Sequence, residues 1–273
     1  MPDPPAPSPV EVRAGERWVE GRGAPQAISR EVPAEAAIGI AYDSRPYVVV
    51  MGTPADVEDL ATGFTITEQI APFAGIAKVT VARAEGGFLA DVLLTPPAGA
   101  ALALVRRRTL ESRSSCGLCG VETLREALRP TARVGKGPTV TRAAIQAALA
   151  ALESAQALGA RTRATHAAAW AEASGALRLV REDVGRHNAL DKLVGAAARL
   201  GLDPQNAFIL VTSRLSFEMV DKAAAAGVAV LVAISAPTAL AIEKAKGAGM
   251  TLVALARADG HTVFTRPDRI VEG

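Results

Sequence analysis

Phe208-Ile209-Leu210-Val211-Thr212-Ser213-Arg214-Leu215-Ser216-Phe217-Glu218-Met219-Val220 decides the fold. Four apolar residues run without a polar break, so this stretch reads as a strand buried on both faces. A polar corner follows, and Phe217–Ala226 then reads as a helix ending at Gly227. The same succession flanks it. Downstream, Val228–Ile234 is a strand, Ser235-Ala236-Pro237-Thr238 a corner, and Thr238–Lys246 a helix ending at Gly247. Upstream, Ala176–Arg181 is a strand, Glu182-Asp183-Val184-Gly185-Arg186-His187-Asn188 a corner, and Arg186–Leu200 a helix ending at Gly201. Thr251–Leu255 and Thr262-Val263-Phe264 add further strands. Strand–helix alternation with apolar strands predicts an α/β domain whose sheet is at least partly parallel. No internal repeat is visible.

Upstream the pattern changes. Ala37–Tyr42 and Tyr47–Met51 flank Asp43-Ser44-Arg45-Pro46 and read as a hairpin. Thr53 and Pro54 predict an N-cap and first position for a helix running to about Phe64. Residues 76–82 and 88–94 are two strands around Glu85-Gly86-Gly87. The chain is α+β overall. Its expected organisation is a Pro-rich tail at 1–10, a smaller α+β domain at 11–112, a cysteine loop and Gly/Pro linker at 113–138, and an α/β domain at 139–273. The last opens with a long helix from Thr141 to about Leu158.

Hydrophobic residues make up 49% of the 273-residue chain and aromatics only 4%, so the core must be mostly Ala, Val and Leu. Trp18 and Trp170 read as packing residues. The formal charge of +2, from 30 basic and 28 acidic residues, argues against nucleic acid as the main partner. No uninterrupted apolar stretch of about 18 residues predicts a membrane span. Met1-Pro2-Asp3-Pro4-Pro5 has no basic or apolar signal region, so it does not read as a signal peptide.

In open α/β sheets, ligands settle beyond the carboxyl ends of the strands, and helix N-termini there suit phosphate. The corners at 182–188, 212–216 and 235–238 fit that description. Arg186 and Arg214 offer bidentate contacts, with His187 and Ser213 beside them. The competing reading is ordinary capping by Ser and Thr, turn duty for Asp183 and Asn188, and a carbonyl bond for His187. Neither a dinucleotide-binding glycine fingerprint nor a P-loop is present.

The two cysteines stand in Ser114-Ser115-Cys116-Gly117-Leu118-Cys119-Gly120, before a helix-like Val121–Leu128. A helix N-terminus, with Arg106, Arg107, Arg108 and Arg113 upstream, favours a thiolate. Four readings stay open: a bland turn, structural zinc completed from the scattered His166, His187 and His261, a disulfide exchanger, or a sulfur carrier. Nucleobase deamination is not supported, because His166 is followed by Ala167 and Ala168 rather than by the glutamate that chemistry needs.

The cysteine segment, Arg181-Glu182-Asp183-Val184-Gly185-Arg186-His187-Asn188-Ala189-Leu190-Asp191-Lys192, Thr212–Val220 and Ser235–Ile242 together resemble the formate dehydrogenase accessory sulfurtransferase family, FdhD/NarQ. The resemblance covers nearly everything after the tail. It implies a C-terminal three-layer domain similar to the cytidine deaminase fold, without the zinc, and a smaller N-terminal α+β roll. The implied function is a sulfurtransferase that takes persulfide sulfur from a cysteine desulfurase. It passes that sulfur to the molybdenum (or tungsten) bis-(molybdopterin guanine dinucleotide) cofactor of formate dehydrogenase, without an intrinsic metal. Cys116 takes the persulfide-carrier role, with Cys119 as its partner. Leu255-Ala256-Arg257-Ala258-Asp259-Gly260 matches the family's cofactor contact. A cytoplasmic homodimer is implied. The Arg106–Arg108 run is a solvated strand face or a docking surface for an acidic desulfurase. A thiol–disulfide oxidoreductase and a non-catalytic cofactor chaperone are the alternatives.

Overall fold

The structure is a computed structural model and describes residues 8–21, 23–103 and 130–272. Cys116, Cys119, Arg106, Arg107, Arg108, Arg113, the helix read over 121–128 and the boundary near residue 112 lie outside the described residues. The N-terminal half holds a two-stranded ribbon, β1 (Val10–Arg17) and β2 (Gln26–Pro33). It continues with β3 (Ala36–Tyr42), β4 (Arg45–Gly52), α1 (Val57–Thr67), β5 (Ile76–Ala84), β6 (Gly87–Leu94) and α2 (Pro96–Ala103). The sheet order is β4-β3-β6-β5. The β3–β4 hairpin turns on Asp43 and Ser44, whose φ values of 49° and 62° match the right-handed twist of the strands they join. Asp91 of β6 holds that turn by accepting from the Ser44 backbone N–H at 2.9 Å and its hydroxyl at 3.0 Å.

The C-terminal half runs β7 (Val140–Thr141), α3 (Arg142–Ala155), α4 (Ala157–Thr162), β8 (His166–Glu172), β9 (Leu177–Asp183) and α5 (Arg186–Arg199). It continues β10 (Ala207–Val211), α6 (Phe217–Ala225), β11 (Val230–Ala233), α7 (Ala239–Ala248), β12 (Thr251–Arg257), β13 (Gly260–Thr265) and β14 (Ile270–Val271). Six strands form one sheet in the order β13-β12-β11-β10-β8-β9. The pairs β10–β11 and β11–β12 are parallel, and the other pairs are antiparallel. Leu190, Leu193, Val194 and Met219 pack on one face, and Ile145, Ala148 and Leu152 on the other. The expected three-layer α/β arrangement is therefore present, with a mixed sheet.

Several local expectations need correction. The strand β8, His-Ala-Ala-Ala-Trp-Ala-Glu, has no signature in the residue pattern. Alanine carries little strand preference, and with both faces buried the alternation of period two disappears. Thr53 is not a helix cap. α1 begins four residues later, after Asp56 in a left-handed conformation, and Thr53 is spent instead on the C-terminal half. Its N–H donates to Asp183 at 3.0 Å, and its hydroxyl accepts from the Val184 N–H at 3.1 Å. The helix opening at Thr141, which does cap it, breaks at Gln156 into α3 and α4. Gly247 lies inside α7, and the left-handed residue that ends the helix is Gly249 at φ 71°. Gly135 and Lys136, read as linker, are pinned by Arg269, whose guanidinium donates to their carbonyls at 3.1 and 2.6 Å. Trp170 is 4% exposed, as a packing residue should be, but Trp18 is 68% exposed.

The two halves meet where α1 crosses α5. A Cβ at Gly63 would stand 1.7 Å from the Asp191 carbonyl oxygen, and one at Gly195 would stand 1.9 Å from that of Asp59. Only paired glycines allow this approach. Buried charges flank the crossing. Asp59 takes Arg181 at 2.8 Å on one side and pairs with Arg199 on the other. Lys222 meets Asp191 at 2.9 Å and Glu68 at 3.0 Å. Burial alone would lower the Lys222 pKa, but the Asp191 and Glu68 carboxylates outweigh it and hold it above the ordinary lysine range.

Candidate functional site

Three parallel strands and β9, related to them through the antiparallel β8, all end at one edge of the sheet. The three polar corners therefore stand in a row. The second and third are stitched together: the Leu215 N–H donates to the Ala236 carbonyl at 3.2 Å, and the Thr238 N–H to that of Leu215 at 2.9 Å.

Capping accounts for only part of this row. Thr238 does cap α7, accepting from the Ala241 N–H at 3.2 Å. Gly185 ahead of α5 and Ser216 ahead of α6 make no side-chain cap, so the first N–H groups of these helices keep their capacity for an anion. Asp183 and Asn188 are structural. Asp183 is fully buried, pairs with Lys192 at 2.6 Å and accepts from the Gly185 N–H at 2.8 Å. Asn188 donates to the Met51 carbonyl at 2.8 Å. Ser213 is buried, and its hydroxyl donates to the Arg214 carbonyl at 3.1 Å, whereas Arg214 is exposed.

Among the described residues, His187 bonds no carbonyl. Its Nε2 lies 3.1 Å from Glu218 Oε2, but out of line for a hydrogen bond, and is buried. By residue pattern alone His166 is a scattered zinc ligand, or a deaminase histidine without its glutamate. The fold brings it to this edge, opposite Asp183 across the β8–β9 pair. Burial pushes its pKa down and the Arg186 charge adds to this, against an upward pull from Asp183. A signal for it was absent from the sequence because β8 itself was not legible. Among the described residues, no group of three or more His, Cys, Asp or Glu side chains is placed to hold a metal ion.

The depressed His166 pKa makes a prediction about stability. The unfolded chain takes up the proton near the reference value of 6.5, and the folded chain does so only at lower pH. The stability contributed by neutral His166 is therefore complete above that value and is lost as pH falls from it toward the folded-state pKa. His166→Gln should lose less stability than the parent between pH about 8 and about 5 in urea melts. Equal pH dependence in the two proteins would refute the assignment.

The 255–260 segment is divided. Leu255, at φ 53°, kinks β12 and donates its N–H to the Ser235 carbonyl at 3.1 Å, joining the row. Ala256 is buried, and Arg257 is exposed. Ala258, Asp259 and Gly260 instead line a cleft of roughly 440 Å³ with Arg142, Gln146, His261 and Glu272. Burial lowers the His261 pKa, and Arg142 lowers it further.

The family model described as "FdhD/NarQ family" matches residues 33–271. A protein named "Sulfur carrier protein FdhD" from Bordetella petrii is 43% identical over 89% of this chain and 87% of its own length. Another of that name from Xanthomonas euvesicatoria pv. vesicatoria is 44% identical over 95% of this chain and 92% of its own. The crystal structure described as that of a formate dehydrogenase accessory protein from Desulfotalea psychrophila superposes with a TM-score of 0.79, covering 97% of this chain and 100% of that one. At 24% identity it speaks for the fold alone. The matched span takes in the paired cysteines, the three corners and both sheets, and on this ground the chain belongs to the FdhD/NarQ family.

Proposed function

We propose that this protein is a cytoplasmic sulfur carrier that serves formate dehydrogenase by a sulfurtransferase reaction. The observation that carries the proposal is the Cys116–Cys119 pair inside the family match, with relatives at 43–44% identity named as sulfur carriers. The row of corners supports it by offering an anion-binding edge to a nucleotide-bearing acceptor. In this reading the Cys116 thiolate attacks the terminal sulfur of a persulfide on a cysteine desulfurase. The donor S–S bond breaks, the donor cysteine leaves as a thiolate, and Cys116 holds the sulfane sulfur.

The acceptor is the metal bis-(molybdopterin guanine dinucleotide), written here as substrate. Its phosphates would meet the N-termini of α5 and α6 with Arg186 and Arg214, beside His187 and Ser213, and the 255–260 segment would complete the contact. His166, held neutral, can take the proton released as persulfide sulfur is handed on. Cys119 attacking the inner sulfur would form a disulfide as the outer sulfur departs.

Incubation with a cysteine desulfurase and cysteine, followed by intact mass measurement, tests the carrier step. The expected result is a gain of one sulfur atom that disappears in Cys116→Ala and persists in Cys119→Ala. A mass that never changes, or a gain retained by Cys116→Ala, would overturn it. Dithiol turnover without sulfur gain would point to a disulfide exchanger, and guanine nucleotide binding alone to a cofactor chaperone.

A further inference from the structure

The second and third corners are bonded through their backbones, but the first stands off, because β8 lies between β9 and β10 in the sheet. Among the described residues, no backbone hydrogen bond joins the first corner to the second. Side chains span that gap instead. α5 and α6 both start at this edge, and His187 and Glu218 are each the second residue of their helix. His187 Nε2 lies 3.1 Å from Glu218 Oε2. One turn on, Asp191 and Lys222 repeat the contact at 2.9 Å, with the acid now on the other helix. Residues four apart share a helix face, so the two pairs are rungs of one ladder between α5 and α6. The lower rung is buried, and the upper rung stands at the edge offered to the acceptor.

A carboxylate at this edge has to be accounted for. At the start of α6 it suits the helix dipole, yet it repels any phosphate bound beside it. Two groups draw it away from that role. Glu218 Oε2 faces His187, and it also accepts from the Ser216 hydroxyl at 3.3 Å. Ser216 stands where a serine ordinarily caps its helix by accepting from an N–H group. Here its side chain makes no cap. One carboxylate oxygen thus meets the imidazole of the first corner and the hydroxyl of the second.

We propose that Glu218 is a positioning residue. Acting through His187, it fixes the distance between the first two corners, and so the spacing at which the N-termini of α5 and α6 receive the acceptor's phosphates. This inference rests on the acceptor reading given above and deepens it with a residue that itself touches no ligand.

Titration of the full chain with GDP, the probe for the guanine end of the acceptor, tests it by sign. A carboxylate that only repelled phosphate would make Glu218→Gln bind GDP more tightly. Positioning requires the opposite, a loss of at least about tenfold. Glutamine keeps an acceptor for the Ser216 hydroxyl, so this change reads the charge that faces His187. His187→Ala should weaken binding as well, and the double variant should lose no more than His187→Ala alone, because Glu218 acts through that ring. A second readout needs no nucleotide. Diethyl pyrocarbonate acylates imidazole nitrogen, and peptide masses tell His187 from His166 and His261. Glu218→Gln should raise the rate at His187 severalfold and leave His261 unchanged, since a ring no longer held opens more often. A Glu218→Gln protein that binds GDP as tightly as its parent or more tightly, losses that add in the double variant, or an unchanged rate at His187 would each overturn the role of Glu218. If the parent itself binds no GDP, the acceptor reading falls, and the phosphate spacing with it. If the parent binds and the variant matches it, only Glu218 is misassigned.

Discussion

Gly63→Ala should lower the stability of the protein by about 4 kcal/mol or more, the largest effect expected of any single methyl group in it. In an exposed helix the same change would stabilise by about 1 kcal/mol, because glycine is a poor helix former. Here the sign is reversed by the crossing of α1 and α5. The added carbon would stand 1.7 Å from the Asp191 carbonyl oxygen and 2.8 Å from the Gly195 nitrogen. Both neighbours are main chain, so no rotamer change relieves the clash and a whole helix must move. That movement would also pull Asp59 from Arg181 and Arg199, and Thr67 from Asp191, to which its hydroxyl donates at 2.6 Å. Gly247→Ala is the control. It sits in α7 with open space where the Cβ would go, and should gain about 0.5–1 kcal/mol. Urea midpoints of both variants decide the matter, and a Gly63→Ala protein as stable as its parent would mean the helices are not in contact there.

The second large effect is expected at the base of the first corner. Lys192→Met leaves the Asp183 carboxylate buried without its counter-charge, which costs about 3–5 kcal/mol. The ammonium also donates to the Thr53 carbonyl at 3.0 Å, so a link between the halves is lost with it. Asp183→Asn in the Lys192→Met background removes the stranded charge while keeping one of the two acceptor oxygens, for either the Gly185 or the Thr53 N–H group. The double variant should therefore be clearly more stable than the sum of the two single losses predicts. Additive losses in thermal melts would show that the two groups do not act as a pair. Because Asp183 positions the turn into α5, the single change should also disturb the edge that Arg186 and His187 occupy.

Some of the site was readable from residue order, and some was not. Phe208–Val211 and the corners after it were legible because a short apolar run and a polar helix start are both local signals. The same holds for the Asp43–Ser44 turn and the Thr238 cap. His166 was not legible in its role, since its strand is alanine-rich and buried on both sides, which erases the periodicity a reader would use. Thr53 was misread for a different reason. A threonine before a proline looks like a cap, and only a partner 130 residues away claims its N–H.

The sequence by itself determined the chemistry on offer: two thiols three apart, three polar corners opening helices, and an alanine-rich core able to pack closely. Local spacing and side-chain type suffice for those statements. Only the tertiary structure decided that the corners share one edge, that Asp183 and Asn188 support it, and that the 255–260 segment is split between that edge and a separate cleft. The glycine crossing and the ion pairs that flank it likewise exist only once the chain is folded. Each depends on which distant backbone comes within a few ångströms, and that is set by the packing of whole helices and strands.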